Sequence, residues 1–271
     1  MTRPYAEVIG DPIAHSKSPL IHNFWLEALG IDADYRATHV LPGDLAGHFE
    51  RRGADPLWRG CNITVPHKVA AIDHIEDRGD IRATIGAINT VFRADDGALV
   101  GTNTDAGGFY GPIADLDLEG QPVTVIGAGG AARAVLFALS KVGVGPVTIL
   151  NRNTLKAGVL LSSFGLKGQA LPLGTPIPPS ALLVNTTSLG MTGQPPLAVD
   201  LDALDEEAVV YDIVYAPLET ALLKAARARD LDTVDGLEML IGQAALAFEI
   251  LFDAGPPPRD RDAELREMLT R

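Results

Sequence analysis

The sequence predicts an α/β protein of two domains, and three observations carry that reading. Strand-length runs of β-branched residues alternate with helix-length stretches along most of the 271 residues. One run, Val123–Ile126, ends abruptly in glycine and opens a helix, P-V-T-V-I-G-A-G-G-A-A-R-A over Pro122–Ala134. From there to Val234 the strand–helix alternation is complete in itself, so the apolar helix after it is expected to return to the first part of the chain. The expected division is residues 1–105, completed by 237–271, as one domain and 106–236 as the other.

In the first domain, Ala6–Ile9 reads as a strand ended by Gly10-Asp11-Pro12. The polar loop His15-Ser16-Lys17-Ser18-Pro19 then opens a helix to Leu29, with proline at the helix start, where its missing N–H costs little. Leu20, Phe24, Leu26 and Leu29 mark its buried face, and Gly30 closes it. Tyr35–Val40 is a strand and Pro42–Arg52 a helix; Gly60–Val65 is a third strand, followed by a helix over Pro66–Asp77. Ile85–Phe92 and Leu99–Thr102 flank Asp96-Gly97, a hairpin signal. Asn103-Thr104-Asp105 opens the next helix, with Asp105 at or near its N-cap.

The second domain begins after the polar connection Asp115–Gln121. Unbroken apolar character in Val123–Ile126 suits a parallel strand buried on both faces. Gly127, Gly129 and Ala132 fall at the three positions of a dinucleotide-binding turn: a tight turn, close backbone approach to a pyrophosphate, and close helix–strand packing. The helix Ala131–Val142 presents its N-terminal N–H groups and dipole to an anion. The unit therefore reads as a Rossmann-like, doubly wound dinucleotide-binding domain. At the end of the next strand, Val147–Leu150, an NAD site usually carries an acid for the ribose diol. Here Asn151-Arg152-Asn153 takes that place, and Arg152 with Lys156 puts two cations where a 2′-phosphate would sit, so NADP is the expected cofactor. A helix near Leu155–Phe164, strands at Gln169–Leu173, Ala181–Asn185 and Val209–Val214, a helix over Leu218–Arg229 and a short strand at Thr233-Val234 complete the unit. Asp235-Gly236 launches the helix Leu237–Phe252, Pro256-Pro257-Pro258 breaks it, and a charged helix from about Asp260 closes the chain.

A net charge of −13 argues against a nucleic-acid surface, and any anionic ligand must be held by a local positive site. No stretch approaches the roughly 20 apolar residues of a membrane span, nor does the N-terminus carry a basic-then-apolar signal. Cys61 is the only cysteine, expected as a buried, inert thiol, and the six histidines show no metal-ligand spacing. The expected setting is the cytoplasm, with a small-molecule substrate and no nucleic-acid, membrane or metal partner; monomer and homodimer both suit the architecture.

Three polar clusters sit at element ends in the first domain. Ser16 and Ser18, two apart before a helix, can face one ligand or simply cap. Asn62 and Thr64 project from one strand face, with Lys68 just beyond. Asn89, in an apolar run, requires buried partners or a ligand. Together H-S-K-S-P, N-I-T-V-P-H-K, G-A-I-N-T, G-T-N-T-D, G-A-G-G-A-A-R-A, N-R-N, N-T-T-S-L-G-M and Q-A resemble the shikimate dehydrogenases, in order and spacing as well as residue type, from about Ile9 to Phe252.

The resemblance implies an N-terminal substrate domain and a reversible, NADPH-dependent reduction of 3-dehydroshikimate to shikimate. It implies that Ser16, Ser18, Asn62, Thr64, Asn89 and Gln243 bind the carboxylate and hydroxyls, that Lys68 and Asp105 form the catalytic pair, and that Tyr215 contacts substrate. For the cofactor it implies Gly127, Ala128, Gly129, Gly130, Ala131, Asn151, Arg152, Asn153, Lys156, Ile213 and Gly236, with Asp80 a further candidate. Asn153 stands where this family more often has threonine, and Lys156 where arginine is common; lysine lacks arginine's planar fork, so weaker discrimination between NADP and NAD is expected. Glu238 stands where the family often repeats glycine and is expected to point outward near its helix N-terminus. The alternatives are an NAD-preferring quinate/shikimate dehydrogenase, a non-catalytic sensor of the same metabolites and, more distantly, a folate dehydrogenase of similar layout. The paired hydroxyls and amides suit a small polyol acid better than a pterin.

Overall fold

The computed structural model describes residues 3–258 and 261–270, and eleven strands within them gather into two sheets. The chain divides into two compact units, Met1–Asp105 with Ile241–Arg271, and Ala106–Leu240.

The first unit holds a five-stranded sheet in the order β2-β1-β3-β4-β5, made of β1 (Tyr5–Gly10), β2 (Asp34–His39), β3 (Trp58–Ile63), β4 (Thr90–Arg93) and β5 (Leu99–Thr102). The first three strands run parallel, and β4 and β5 add an antiparallel edge. Every residue of β1 is buried, as a central strand covered on both faces requires. Helices α1 (Ser18–Leu29) and α2 (Leu45–Gly53) follow β1 and β2. The C-terminal helices α8 (Gly236–Phe252, from Ile241 onward) and α9 (Asp262–Thr270) return to this unit. The sequence reading started the last helix at Asp260, which lies outside the described residues. Cys61 is buried and free, and burial pushes its thiol well up.

Two expectations here are corrected. The span Pro66–Asp77 is not a helix but a turn followed by a short 3-10 segment, Ala70–His74. The Lys68 carbonyl, which a helix would offer to the Ile72 N–H, accepts instead from Ile88 N–H at 2.7 Å, and Ile72 bonds Val69. That same bond holds Ile88 out of the hairpin: the strand expected from Ile85 starts at Thr90, and Ile81–Thr84 forms a short helix, α3.

Beneath β1 a fully buried carboxylate, Glu7, accepts from Arg52 (2.6 and 3.1 Å), Trp58 Nε1 (2.8 Å) and Thr38 Oγ1 (2.5 Å), with His48 at 3.4 Å. Burial alone would raise its pKa. The proximity of His48 and the bonds from Arg52 and Thr38 outweigh burial and hold it down at about 2. On another side of the unit His22 is fully buried against Tyr35, Trp25 and Phe248, and burial lowers its pKa to about 3. Both groups have folded-state values below their unfolded ones, so the unfolded chain binds more protons and stability is lost as the pH is lowered. His22 acts from about 6.5 down to 3, and Glu7 from about 4.5 down to 2. At pH 5 His22 alone removes about 2 kcal/mol relative to neutral pH. Denaturant titrations at pH 7 and 5 check this: His22→Phe is expected to flatten the slope, and an unchanged slope would contradict the assignment.

The second unit is a six-stranded, wholly parallel sheet in the order β11-β10-β9-β6-β7-β8. Its strands are β6 (Val123–Ile126), β7 (Val147–Asn151), β8 (Gly168–Pro172), β9 (Leu182–Asn185), β10 (Val209–Asp212) and β11 (Asp232–Val234). In chain order this is the doubly wound 3-2-1-4-5-6 arrangement, with its switch point between β6 and β9. Helices α5 (Gly130–Val142) and α6 (Thr154–Ser163) pack on one face against Val123, Val125, Val147 and Ile149. On the other, α7 (Ala221–Arg227) packs against Ile126, Leu150, Leu183 and Val210. Among the described residues no helix is long and apolar enough to cross a membrane.

Candidate active site

The register of the first sheet brings one set of polar residues to a single end. Ile9 pairs with Ile63, Asn62 with Thr90, and Thr90 with Thr102. The C-terminal ends of β1, β3 and β5 and the start of β4 therefore coincide. The Ser16–Ser18 loop comes after β1, and Thr64 and Lys68 come after β3. Asn89 precedes β4, and Asp105 lies beyond β5, where it begins the short helix α4 (Asp105–Tyr110).

At that end Lys68 Nζ donates to Asp105 Oδ2 at 2.5 Å, with side-chain exposures of 16% and 6%. That pair is sheltered enough for its charges to act on one another with little solvent screening. The other carboxylate oxygen accepts from Asn89 Nδ2 at 2.9 Å. Asn89 Nδ2 also reaches Thr104 Oγ1 at 2.8 Å and Gln243 Oε1 of α8 at 3.4 Å, while Asn89 Oδ1 accepts from the Thr104 N–H at 2.7 Å. Lys68, Asp105, Asn89 and Gln243 thus form one cluster. Ser16 and Thr64 are half-buried and Ser18 buried; Ser16 Oγ accepts from the Ser18 N–H at 3.3 Å just before α1. Asn62 is buried, and its amide is bonded to Tyr35, Thr90 and the Asn89 carbonyl. Sequence reasoning assigned no bonding role to Tyr35, Thr90 or Thr104, although Thr90 ends the G-A-I-N-T motif and Thr104 stands inside G-T-N-T-D.

In the second unit the candidate residues gather where parallel strands end. Ile126 pairs with Leu150 and Asn185, and Asp212 with Asn185, so Gly127, Asn151 and Ile213 emerge side by side. Gly127 has φ 111°, and a Cβ there would lie 2.5 Å from Thr186 Oγ1. Gly129 differs: a Cβ would meet nothing within 4 Å. The protein's own packing does not demand glycine at 129, and the space it leaves lies at the N-terminus of α5, beside Gly130 and Ala131. That is a cradle suited to a pyrophosphate. Gly236 is required by close approach, since a Cβ would come within 2.5 Å of the Ile213 and Val214 backbone.

Arg152 and Lys156 are exposed, and among the described residues neither is ion-paired. Asn153 is the N-cap of α6, its Oδ1 accepting from the Lys156 N–H at 3.0 Å, and Asn151 Nδ2 donates to the Asn153 carbonyl at 2.9 Å. The residues present therefore fit a 2′-phosphorylated dinucleotide. Tyr215 is half-buried in this unit. Glu238 is exposed in the first turn of α8. Asp80 lies in the other unit, exposed at the N-cap of α3, where its carbonyl accepts from Thr84. Another network went unread: buried Asp212 accepts from Asn185 Nδ2 (2.9 Å), the Val214 N–H (3.1 Å) and Thr220 Oγ1 (2.7 Å). It fastens the loops at the ends of β9 and β10, and burial raises its pKa.

A switch-point glycine turn on a wholly parallel sheet, with free cations after its second strand, defines a two-unit α/β protein of the dinucleotide-binding class. The family model described as "Shikimate dehydrogenase substrate binding domain" matches residues 8–91, and that of "Shikimate 5'-dehydrogenase C-terminal domain" matches residues 236–261. The shikimate dehydrogenase (NADP(+)) of Sphingopyxis alaskensis is 65% identical over 98% of this chain and 97% of its own. That of Methylobacterium radiotolerans is 47% identical over 98% and 96%. The crystal structure of shikimate 5-dehydrogenase from Thermus thermophilus, in complex with NADP(H) and shikimate, superposes with a TM-score of 0.85 at 37% identity, covering 97% of this chain and 99% of that one. The chain belongs to the shikimate dehydrogenase family.

Proposed function

We propose that this chain catalyses the reversible, NADP-dependent interconversion of 3-dehydroshikimate and shikimate. Residues 1–105 with the returning C-terminal helices would form the substrate domain, and 106–236 the NADP domain. The observation that carries the proposal is the sheltered Lys68–Asp105 pair, gripped through Asn89 and next to Gln243.

When bound, NADPH supplies a hydride to the substrate ketone. The carbonyl oxygen then becomes an alkoxide, which requires a proton and a positive charge beside it. Lys68 supplies both, and in the oxidation direction it receives the proton back. Asp105 holds the ammonium in place through Oδ2 while Asn89 fixes the carboxylate through Oδ1. Ser16, Ser18, Asn62, Thr64 and Gln243 hold the substrate carboxylate and hydroxyls, and Tyr215 is assigned to the substrate as well. Arg152, Lys156 and Asn153 hold the 2′-phosphate. Gly127, Ala128, Gly129, Gly130 and Ala131 hold the pyrophosphate, and Asn151, Ile213 and Gly236 complete the cofactor side. Asp80 would contact the cofactor as well. The same reading places the enzyme in the cytoplasm, as a monomer or homodimer.

The test is an absorbance assay of the reduced nicotinamide, crossing shikimate and quinate with NADP and NAD. Shikimate with NADP is expected to dominate. Preference for NAD would overturn the role of Arg152 and Lys156, and preference for quinate would reassign the substrate residues.

A further inference from the structure

The hydrogen-bond orientation of every side chain between Tyr35 and Lys68 is set by groups that can play one role only. Asn62 Nδ2 lies 3.3 Å from the Asn89 carbonyl, an obligate acceptor, so that corner of the Asn62 amide is the nitrogen. The other corner is then the oxygen, and Tyr35 Oη, 2.5 Å away, donates to it. Asn62 Nδ2 also donates to Thr90 Oγ1 at 3.0 Å. At the far end, Asn89 Oδ1 accepts from the Thr104 N–H, an obligate donor, and Asn89 Nδ2 donates to the Asp105 carboxylate. Thr90 has one hydroxyl proton, and the only orientation consistent with both neighbours donates it to Asn89 Oδ1 at 3.2 Å.

We propose that Tyr35, Asn62 and Thr90 are positioning residues for the reaction. They form a one-directional hydrogen-bond chain, Tyr35 to Asn62 to Thr90 to Asn89 to Asp105, that sets the carboxylate against which the Lys68 ammonium is held. This rests on the catalytic reading of Lys68 and Asp105. It gives Asn62, whose amide protons are engaged by the Asn89 carbonyl and Thr90, a role toward Asp105.

Three features support the chain. Tyr35 (3% exposed), Asn62 (5%), Thr90 (0%) and Asn89 (2%) are all withdrawn from water, where such bonds polarise one another and an unmade one is costly. The Tyr35 ring is clamped by His22, stacked at 3.9 Å and 6°, so its hydroxyl has one direction to point. Burial holds the phenol well above its ordinary range, so it keeps the proton it donates.

The test uses Tyr35→Phe, Thr90→Val, Thr90→Ser and the Tyr35→Phe/Thr90→Val double variant in the full-length enzyme. Thr90→Val keeps shape and strand preference while deleting the link, and is expected to lower kcat about 10-fold with the NADP KM unchanged. Tyr35→Phe is expected to lower kcat about 3-fold, and Thr90→Ser to restore it to within about twofold of wild type. Because the links are in series, the double variant should lose no more than Thr90→Val alone. Multiplying losses in the double variant, or unchanged kcat in both single variants, would overturn the chain. A readout without turnover is the side-chain amide resonance of Asn89, expected to shift in Tyr35→Phe; a shift confined to Asn62 would also overturn it. Wild-type turnover of shikimate with NADP tests the catalytic reading separately, so the two can fail independently.

Discussion

Replacing Lys68 with alanine is expected to lower kcat by about 10²- to 10⁴-fold while leaving the affinity for NADP within about twofold. The size follows from what one ammonium does. It delivers the proton to the substrate oxygen and supplies the nearest positive charge while that oxygen becomes negative. Solvent water does not replace it well, because Asp105, left behind at 6% exposure, would place an uncompensated negative charge beside the developing alkoxide. The NADP affinity is spared because the residues assigned to the dinucleotide, Asp80 apart, lie in the second unit, whereas Lys68 belongs to the first. Steady-state rates with a fluorescence titration of NADPH check both halves. A variant retaining most of its kcat would remove Lys68 from the mechanism, and loss of NADP binding would show a different role for it.

Replacing both Arg152 and Lys156 with alanine is expected to raise the KM for NADPH by about 10- to 100-fold and leave that for NADH unchanged. Each charge-assisted bond to a phosphate contributes roughly 1.5–3 kcal/mol when well formed. Both side chains are exposed, so screening by water and salt places the effect toward the lower end. The same screening gives an independent check: added salt should weaken NADPH more than NADH in the wild type, and the difference should vanish in the double variant. Equal losses for both cofactors would mean that the two cations serve the loop rather than the 2′-phosphate.

The sequence showed most clearly those features whose chemistry is local. Val123–Ile126 followed by G-A-G-G is a strand, a turn and a helix start within a few residues, and the fold realises them there. The Lys68–Asp105 pair was legible through motif resemblance, although the two residues are far apart in sequence; strand register brings them together. What escaped was set by partners distant in the chain. The helix expected over Pro66–Asp77 failed because Ile88 takes the Lys68 carbonyl, a competition that local propensity does not contain. Tyr35 and Thr90 read as ordinary strand residues, since a hydroxyl on a buried face is indistinguishable from packing until its partner is known. Asp212 was hidden in the same way inside an apolar run, its three donors coming from Asn185, Val214 and Thr220.

Asn153 caps α6 with its side-chain oxygen, and its amide nitrogen takes no part in that cap. Aspartate caps a helix as well as asparagine does, so exchanging that nitrogen for a second oxygen would leave the helix intact. It would also put an acid, the partner a ribose diol favours, beside the cations. Folding constrains one atom of the residue and leaves the other free to answer to the cofactor. Evolution can therefore move a protein of this fold between the two nicotinamide currencies through an exchange that leaves the helix cap in place, and the neighbouring cations can drift afterwards.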